Sequence, residues 1–354
     1  MSSPLGRILT PENISKLLKW FKKNKRQLPW RLNPEPYCVW LAEIMSQQTQ
    51  MTSLVPYYDR FLKTFPTVQD LAQSPLSQVY SAWTGLGYYS RAANVHKTAQ
   101  IIAKNGVFPN TYEGWLALPG VGPYTAAAVT SQCFGVKEPV WDGNVLRVMA
   151  RITATKNPWI LSFKKTSVKE LRNILNSNSK IFSGDINQAL MELGALVCRP
   201  KNPNCEICPL NSACLAYKKN CANQIPIPKK RKSLEVLKPR AFIWVKKSKK
   251  TTHLYLTQRQ KGDWFSGMWD FPSELGGGKS PLKLATIDTQ DAPKIGTVRH
   301  SITHHVIKLD AYICSGSPKN LKGKWIDLDQ IFLDEKMPIS AITKKIIRKL
   351  GISI

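Results

Sequence analysis

Apolar residues recur at helical spacing over the first two thirds of the chain. Ile14, Leu17, Leu18 and Phe21 share one helical face, and Thr10-Pro11-Glu12 ahead of them supplies an N-cap, a first-turn proline and a first-turn acid. From residue 10 to about 222, Pro and Gly punctuate short apolar segments of helical length, the pattern of an all-α bundle. After Pro239 the period changes. Ala241–Val245, His253–Gln258 and Val306–Cys314 alternate or are rich in β-branched and aromatic residues, which predicts strands and a second domain of α+β type.

With 354 residues the chain is long enough for two or three domains, each with its own core. The boundaries are expected at 1–222 for the mostly α region, 223–238 for a linker and 239–354 for the α+β domain. Lys229–Lys250 contains ten Lys or Arg and only Glu235 as an acid, so it reads as an exposed linker running into an exposed hairpin. Either solvent or DNA suits that face.

Charge narrows the partner. Lys and Arg number 51 against 23 Asp and Glu, a net charge of +28 that strains a compact fold unless a polyanion neutralises part of it. Nucleic acid is favoured over anionic membrane, because no basic amphipathic helix has a strong aromatic face. Met1–Thr10 has no apolar leader core and no apolar run is long enough to span a bilayer, so an intracellular, soluble protein is expected.

Three local patterns carry chemistry. Cys198, Cys205, Cys208 and Cys214 are spaced C-x6-C-x2-C-x5-C, and four thiolates in one short loop suit an iron–sulfur cluster or a structural zinc ion. The other four cysteines, Cys38, Cys133, Cys221 and Cys314, are scattered and read as structural. Leu118-Pro119-Gly120-Val121-Gly122-Pro123-Tyr124-Thr125 follows an apolar helix and opens an Ala-rich one that ends at Gly135. Such a helix–hairpin–helix contacts DNA backbone through glycines and free helix-start N–H groups. Further on, Asp142-Gly143-Asn144 leads into another apolar-periodic helix, where Asp142 alone would be an ordinary N-cap.

In that order, hairpin, aspartate and four-cysteine loop resemble the endonuclease III superfamily of DNA glycosylases over residues 10–222. The resemblance implies a six-helix helix–hairpin–helix bundle with a helical [4Fe–4S] module, one cluster per chain, held by the four cysteines. Bifunctional members carry a Schiff-base lysine after the hairpin; here that place is Tyr124, which points to a monofunctional enzyme using water. Leu28-Pro29-Trp30-Arg31, the run Trp40–Gln50 and Trp83-Thr84-Gly85-Leu86-Gly87-Tyr88-Tyr89 look like MutY-type adenine DNA glycosylases. These enzymes remove adenine mispaired with 8-oxoguanine or guanine in double-stranded DNA and leave an abasic site.

The resemblance assigns roles by position. Glu43 would protonate adenine, Asp142 would stabilise the oxocarbenium-like sugar, and Tyr124 and Asn144 would complete the catalytic set. Arg26, Leu28, Trp30, Arg31 and Glu192 would line the adenine pocket. Gln48 and Tyr88 would fill the gap left by the flipped base, with Thr49 and Leu86 beside the lesion and Gly120 and Gly122 on the backbone. Without the resemblance, Glu43 reads as an exposed helical acid and Tyr88 as a core aromatic.

The C-terminal domain resembles the MutT-like, Nudix-fold domain of these glycosylases through Gly267-Met268-Trp269-Asp270-Phe271-Pro272. The acidic Nudix box is missing after it, so no Mg²⁺ site and no pyrophosphohydrolase activity are expected; lesion recognition is. Ile302-Thr303-His304 stands where the family has Phe-Ser-His, with Thr303 and His304 as the lesion-contacting residues. Ser46 likewise replaces a leucine. His300, His304 and His305 read as strand or loop residues, not metal ligands. The enzyme is expected to be monomeric, cytoplasmic if bacterial and otherwise nuclear. Two alternatives are a bifunctional glycosylase acting on oxidised pyrimidines and a non-catalytic DNA-binding iron–sulfur protein.

Overall fold

The computed structural model describes residues 4–351 except 49–50, 179, 230–232, 249–250, 261–262, 276–291, 303–304, 319–320 and 334–336, with the side chains of 52, 332, 333 and 350 also set aside. The chain divides into two compact units, one of residues 1–62, 67–72 and 97–230, the other of 63–66, 73–96 and 231–354. The helical stretch 73–96 therefore groups with the C-terminal strands, which helical periodicity could not reveal. One contact shows the fit: Gly267, at φ +80°, has the ring of Tyr80 where a Cβ would sit, 3.0 Å away.

The first unit is helical. Its site-bearing helices are α1 (Pro11–Asn24), α2 (Pro36–Ser46), α3 (Tyr112–Leu116), α4 (Pro123–Phe134), α5 (Gly143–Ile152) and α6 (Ser183–Leu196). The Thr10 hydroxyl accepts the Asn13 N–H to start α1, and Gly135 at φ +67° ends α4. Helix α4 packs on α2, α3 and α6, while α6 packs on α1 and α5. Ile14, Leu17 and Phe21 of α1, Val145, Val148 and Met149 of α5, and Ile186 and Leu190 of α6 meet in one core. Each such side chain stabilises the fold by roughly 1.5–3 kcal/mol on burial. Ala126, Ala127 and Ala128 let helices close in around α4, which is buried almost throughout.

The second unit holds a mixed sheet of β1 (Glu235–Leu237), β2 (Arg240–Lys247), β3 (Thr252–Gln258), β4 (Trp269–Asp270), β5 (Lys294–Ile302), β6 (His305–Cys314) and β7 (Gly323–Asp327). The order is β1-β6-β2-β3-β4, with β5 on β6 and β7 on β3; β6 runs parallel to β1 and β2. Helix α7 (Ala341–Leu350) seats Ile342, Ile346 and Ile347 against Ile243, Leu254, Ile307 and Leu309 of the sheet. Strand β1 lies inside the stretch expected as linker. Val236 is half exposed, so only the ladder pairing with Val306, and no burial pattern, marks it as strand.

A buried ion pair ties this unit together. Arg259 donates to Asp270 Oδ2 from Nε at 3.1 Å and from Nη2 at 2.9 Å, both residues being almost fully buried. Asp270 Oδ1 accepts from the Thr343 hydroxyl of α7 and from Phe271 N–H. Replacing Asp270 with Ala strands the guanidinium in the core, and a loss of about 3–5 kcal/mol is expected. Chemical denaturation of the variant measures it; a loss under about 1 kcal/mol would mean that the pair does not organise this unit.

Candidate active site

Helix α2 buries Tyr37 and every residue from Val39 to Met45, so Glu43 is carried inside by its neighbours. Its Oε2 accepts the Tyr124 hydroxyl at 2.7 Å, and Oε1 accepts Gln132 Nε2 at 3.2 Å, both donors coming from α4. Burial pushes the Glu43 carboxyl above the usual carboxylate range; the two hydrogen bonds oppose this, the nearby Asp142 charge adds to it and Arg31 subtracts. Burial and the charges of Glu43 and Asp142 hold the Tyr124 phenol neutral.

Asp142 is the N-cap of α5. Its Oδ1 accepts Val145 N–H at 2.7 Å and its Oδ2 accepts Asn144 Nδ2 at 2.8 Å. Burial raises this carboxyl too, against the Val145 N–H, Asn144 and the Arg147 charge. The two acids differ in what meets them. Glu43 faces neutral side chains, whereas Asp142 sits on a helix N-terminus, where the dipole and free N–H groups favour the anion.

Asn144 is itself held. Its Oδ1 accepts Arg147 Nη2 at 2.8 Å, and the same guanidinium donates to Gly194 O at 2.7 Å and, through Nε, to Cys198 O at 2.8 Å. Gly194 is required for this approach, since a Cβ there would lie 2.6 Å from the Asn144 Cβ. Asp142, Asn144 and the start of the cysteine loop thus share one arginine.

Glu192, on α6, receives Arg26 through its backbone N–H and guanidinium at 2.8–2.9 Å and Arg31 Nη2 at 2.9 Å. Burial alone would raise it, but these hydrogen bonds and the Arg31 charge win and hold it at about 2. Leu28 and Trp30 lie buried in the same segment, the Trp30 ring edge-on to Tyr58 at 5.0 Å. Arg26, Arg31 and Glu192 are therefore brought together, though Arg26 and Glu192 are 166 residues apart in sequence.

The expected DNA-facing residues are more dispersed. Gly120 sits at φ +74° in the turn between α3 and α4, and Gly122 caps α4. Gln48 is exposed at φ +60°. Tyr88 is 42 % exposed at φ +49°, with the Arg91 guanidinium 5.3 Å from its ring, so it is not a core aromatic. Leu86 is buried two residues before the exposed Tyr88. Thr49, Thr303 and His304 lie outside the described residues.

Cys198, Cys205, Cys208 and Cys214 line a single cavity with Val148 and Leu193 in its wall. Arg151, one turn after Arg147, donates to Cys198 Sγ at 3.3 Å and to the carbonyls of Arg199 and Pro200. Among the described residues no group of three or more His, Cys, Asp and Glu is set to hold one metal ion. Four thiolates suit an iron–sulfur cluster or a structural zinc ion, and the arginine beside Cys198 suits the negative charge of such a centre.

Gln132, Arg147, Arg151 and Gly194 were not singled out from the sequence. Arg147 and Arg151 fall at i and i+4 amid apolar positions of α5, a usable signal for two buried cations. Gln132 and Gly194 leave none, because their roles depend on a neighbouring helix.

Residues 41–173 match the HhH-GPD superfamily base excision DNA repair protein model, and residues 241–349 match the NUDIX domain. Fold and site thus define a base excision DNA repair protein with a NUDIX-type second domain. The chain belongs to the adenine DNA glycosylase family. An adenine DNA glycosylase of Buchnera aphidicola subsp. Acyrthosiphon pisum is 32 % identical over 324 residues, spanning 88 % of this chain and 91 % of that protein. That of Buchnera aphidicola subsp. Baizongia pistaciae is 36 % identical over 72 % of each chain, and the Rattus norvegicus enzyme is 41 % identical over 57 % of this chain and 41 % of its own length. A thermostable thymine-DNA glycosylase structure aligns with TM-score 0.52 and 27 % identity over 58 % of this chain and 95 % of that one. An endonuclease III structure in a non-covalent DNA complex shares the fold, with TM-score 0.51, 24 % identity and coverage of 62 % and 99 %.

The Glu192 carboxyl has a testable consequence. Its folded value near 2 lies below the unfolded glutamate at roughly 4.3, so the ionised form contributes stability above the unfolded value that is lost as pH falls towards 2. Glu192→Gln should flatten the stability–pH curve between about pH 5 and 2 by an amount on the order of 3 kcal/mol. Denaturation curves at several pH values check this, and an unchanged slope would contradict it.

Proposed function

We propose that this protein is a monofunctional adenine DNA glycosylase of base excision repair. It binds duplex DNA, flips adenine mispaired with 8-oxoguanine or guanine out of the stack, and hydrolyses its glycosidic bond. The observation that carries the reading is the Glu43–Tyr124–Gln132 cluster in electrostatic reach of Asp142. It offers one carboxyl biased towards the acid and another placed on a helix N-terminus.

In this reaction the electron pair of the sugar–base bond leaves with adenine, and Glu43 supplies the proton that a poor leaving group needs. Asp142, as carboxylate, faces the positive charge that develops on the sugar. Water then adds its hydroxyl to the sugar and its proton restores the acid, leaving an abasic site. Asn144, fixed by Arg147, keeps Asp142 turned towards the sugar. Tyr124 is a buried phenol and supplies no amine, so no Schiff base forms and the strand stays intact. Arg26, Arg31 and Glu192 position the adenine pocket with Leu28 and Trp30, and Gln48 and Tyr88 occupy the emptied stack. The positive-φ backbone of Tyr88 costs on the order of 1 kcal/mol, a strain that suits a residue aimed outward for such use.

The second unit reads the base opposite adenine. Asp270 and Glu274 are engaged by Arg259 and Arg240, which leaves neither for a metal-dependent pyrophosphatase. The protein acts as a monomer. The four cysteines hold a [4Fe–4S] cluster that fixes their loop, and through Arg147 the loop and the Asp142 cap are positioned together.

Single-turnover assays with adenine opposite 8-oxoguanine, guanine, thymine and cytosine test the activity. Excision opposite the first two, no borohydride-trapped adduct, and at least ~100-fold slower excision by Glu43→Gln and Asp142→Asn with duplex binding retained are expected. Activity needs Glu43 protonated and Asp142 ionised. The rate should therefore fall as pH rises through the raised Glu43 value and fall again as pH drops through that of Asp142. Near-normal rates in either variant would remove that residue's role.

The cofactor is checked separately. Purified protein should carry about four irons and four sulfides per chain and a broad visible absorption. One zinc per chain with neither signal would replace the cluster with a zinc site.

A further inference from the structure

Helix α7 covers the sheet with Ile342, Ile346 and Ile347, and this explains one of its faces. The other face carries Lys344, Lys345, Arg348 and Lys349, and the helix contains no acid. These four bases line a cavity of about 540 Å³ whose far side includes Gly85 and Tyr89, all within the second unit. Helix electrostatics account for only half of them. Arg348 and Lys349 complement the negative helix C-terminus, but Lys344 and Lys345 lie too early in the helix for that.

Lys344 is the informative member. It is half-buried at the groove and no described carboxylate pairs with it. Burial and the neighbouring Arg348 charge push its amine below the ordinary lysine value. A bound anion would offset the charge that Lys344 carries without a carboxylate partner among the described residues. The nearby Lys345 Nζ is spent on Arg299 O at 2.6 Å, which anchors the groove to β5. Lys344 and Arg348 stand one helical turn apart, about 6 Å along the axis, and present two positive charges in a row.

We propose that this groove binds the phosphate backbone of the DNA, next to the turn that carries Tyr88. The inference rests on the duplex-binding reading above and extends it to a second-unit residue set that makes no base contact. A backbone site is favoured over a free-phosphate site because the opposite wall is the 84–89 turn, whose exposed Tyr88 is the residue assigned to the emptied stack. Phosphates flanking that position are the anions brought there. These contacts position the duplex and carry no sequence information.

The test uses the full-length protein, with duplex affinity measured against salt on undamaged DNA, so its outcome does not depend on adenine excision. Each phosphate neutralised contributes about 0.9 to the slope of log affinity against log salt. The K344Q/R348Q variant should lower that slope by close to ~2 and weaken binding, while K344R/R348K keeps it. Single-turnover excision at saturating enzyme should stay within about twofold, because phosphate contacts position the duplex and take no part in the bond-breaking step. In the unsubstituted protein, duplex DNA should protect Lys344 and Lys349 from an amine-reactive reagent. An unchanged slope with no protection overturns the proposal even if the variant folds poorly. Equal protection by millimolar inorganic phosphate would also overturn it, in favour of a small-anion site.

Discussion

Two carboxyl groups, Glu43 and Asp142, lie within electrostatic reach of each other, and the proposed reaction needs them in different protonation states. Each would be raised by burial alone. What separates them is the partner set. Asp142 has the start of α5, with backbone N–H, Asn144 and the Arg147 charge on its side, so the anion is supported there. The hydrogen-bond partners of Glu43 are a phenol and an amide, in a helix of apolar neighbours. If α4 were displaced, Tyr124 and Gln132 would go with it and Glu43 would be a bare buried acid. The small residues that let α2 and α6 close on α4 are for this reason part of the chemistry as much as of the packing.

Arg147 joins functions that are separate along the chain. One guanidinium reaches Asn144, Gly194 and Cys198, and Arg151 on the next turn reaches the loop between Cys198 and Pro200. The cysteine loop and the Asp142 cap cannot move independently while these bonds last. A metal centre held by this loop, as proposed, would thereby bear on the geometry of the site without taking part in a step. The close contact at Gly194 shows how little slack this junction has.

Much of this was legible from local pattern, and the reasons are specific. The Thr10 cap, the Gly135 stop, the hairpin glycines and the strands after Pro239 appear where turn chemistry and periodicity put them. Family-like segments mark Glu43, Tyr124, Asp142, Asn144 and Glu192 along the chain. The readings of Glu43 as an exposed acid and Tyr88 as a core aromatic did not hold: one is buried and the other is out in solvent. Burial of a helical acid depends on what packs over it, and a single strand of text does not show that. Strand β1 and the grouping of residues 73–96 with the second unit escaped for the same reason, since each depends on a partner far away in sequence.

By itself the amino-acid sequence determined a helical first region followed by strands, the four-cysteine spacing, the absence of a lysine at Tyr124 and the strong positive charge. All of these depend on neighbouring residues or on composition. Only the tertiary structure decided which acid is pressed into an apolar helix beside a phenol, which sits on a helix N-terminus, and that one arginine links the second of them to the cysteine loop. It also set four bases of α7 around one groove while their isoleucine neighbours went to the core. Protonation state, close approach and convergence are properties of distances between segments, and those distances exist only once the chain has packed.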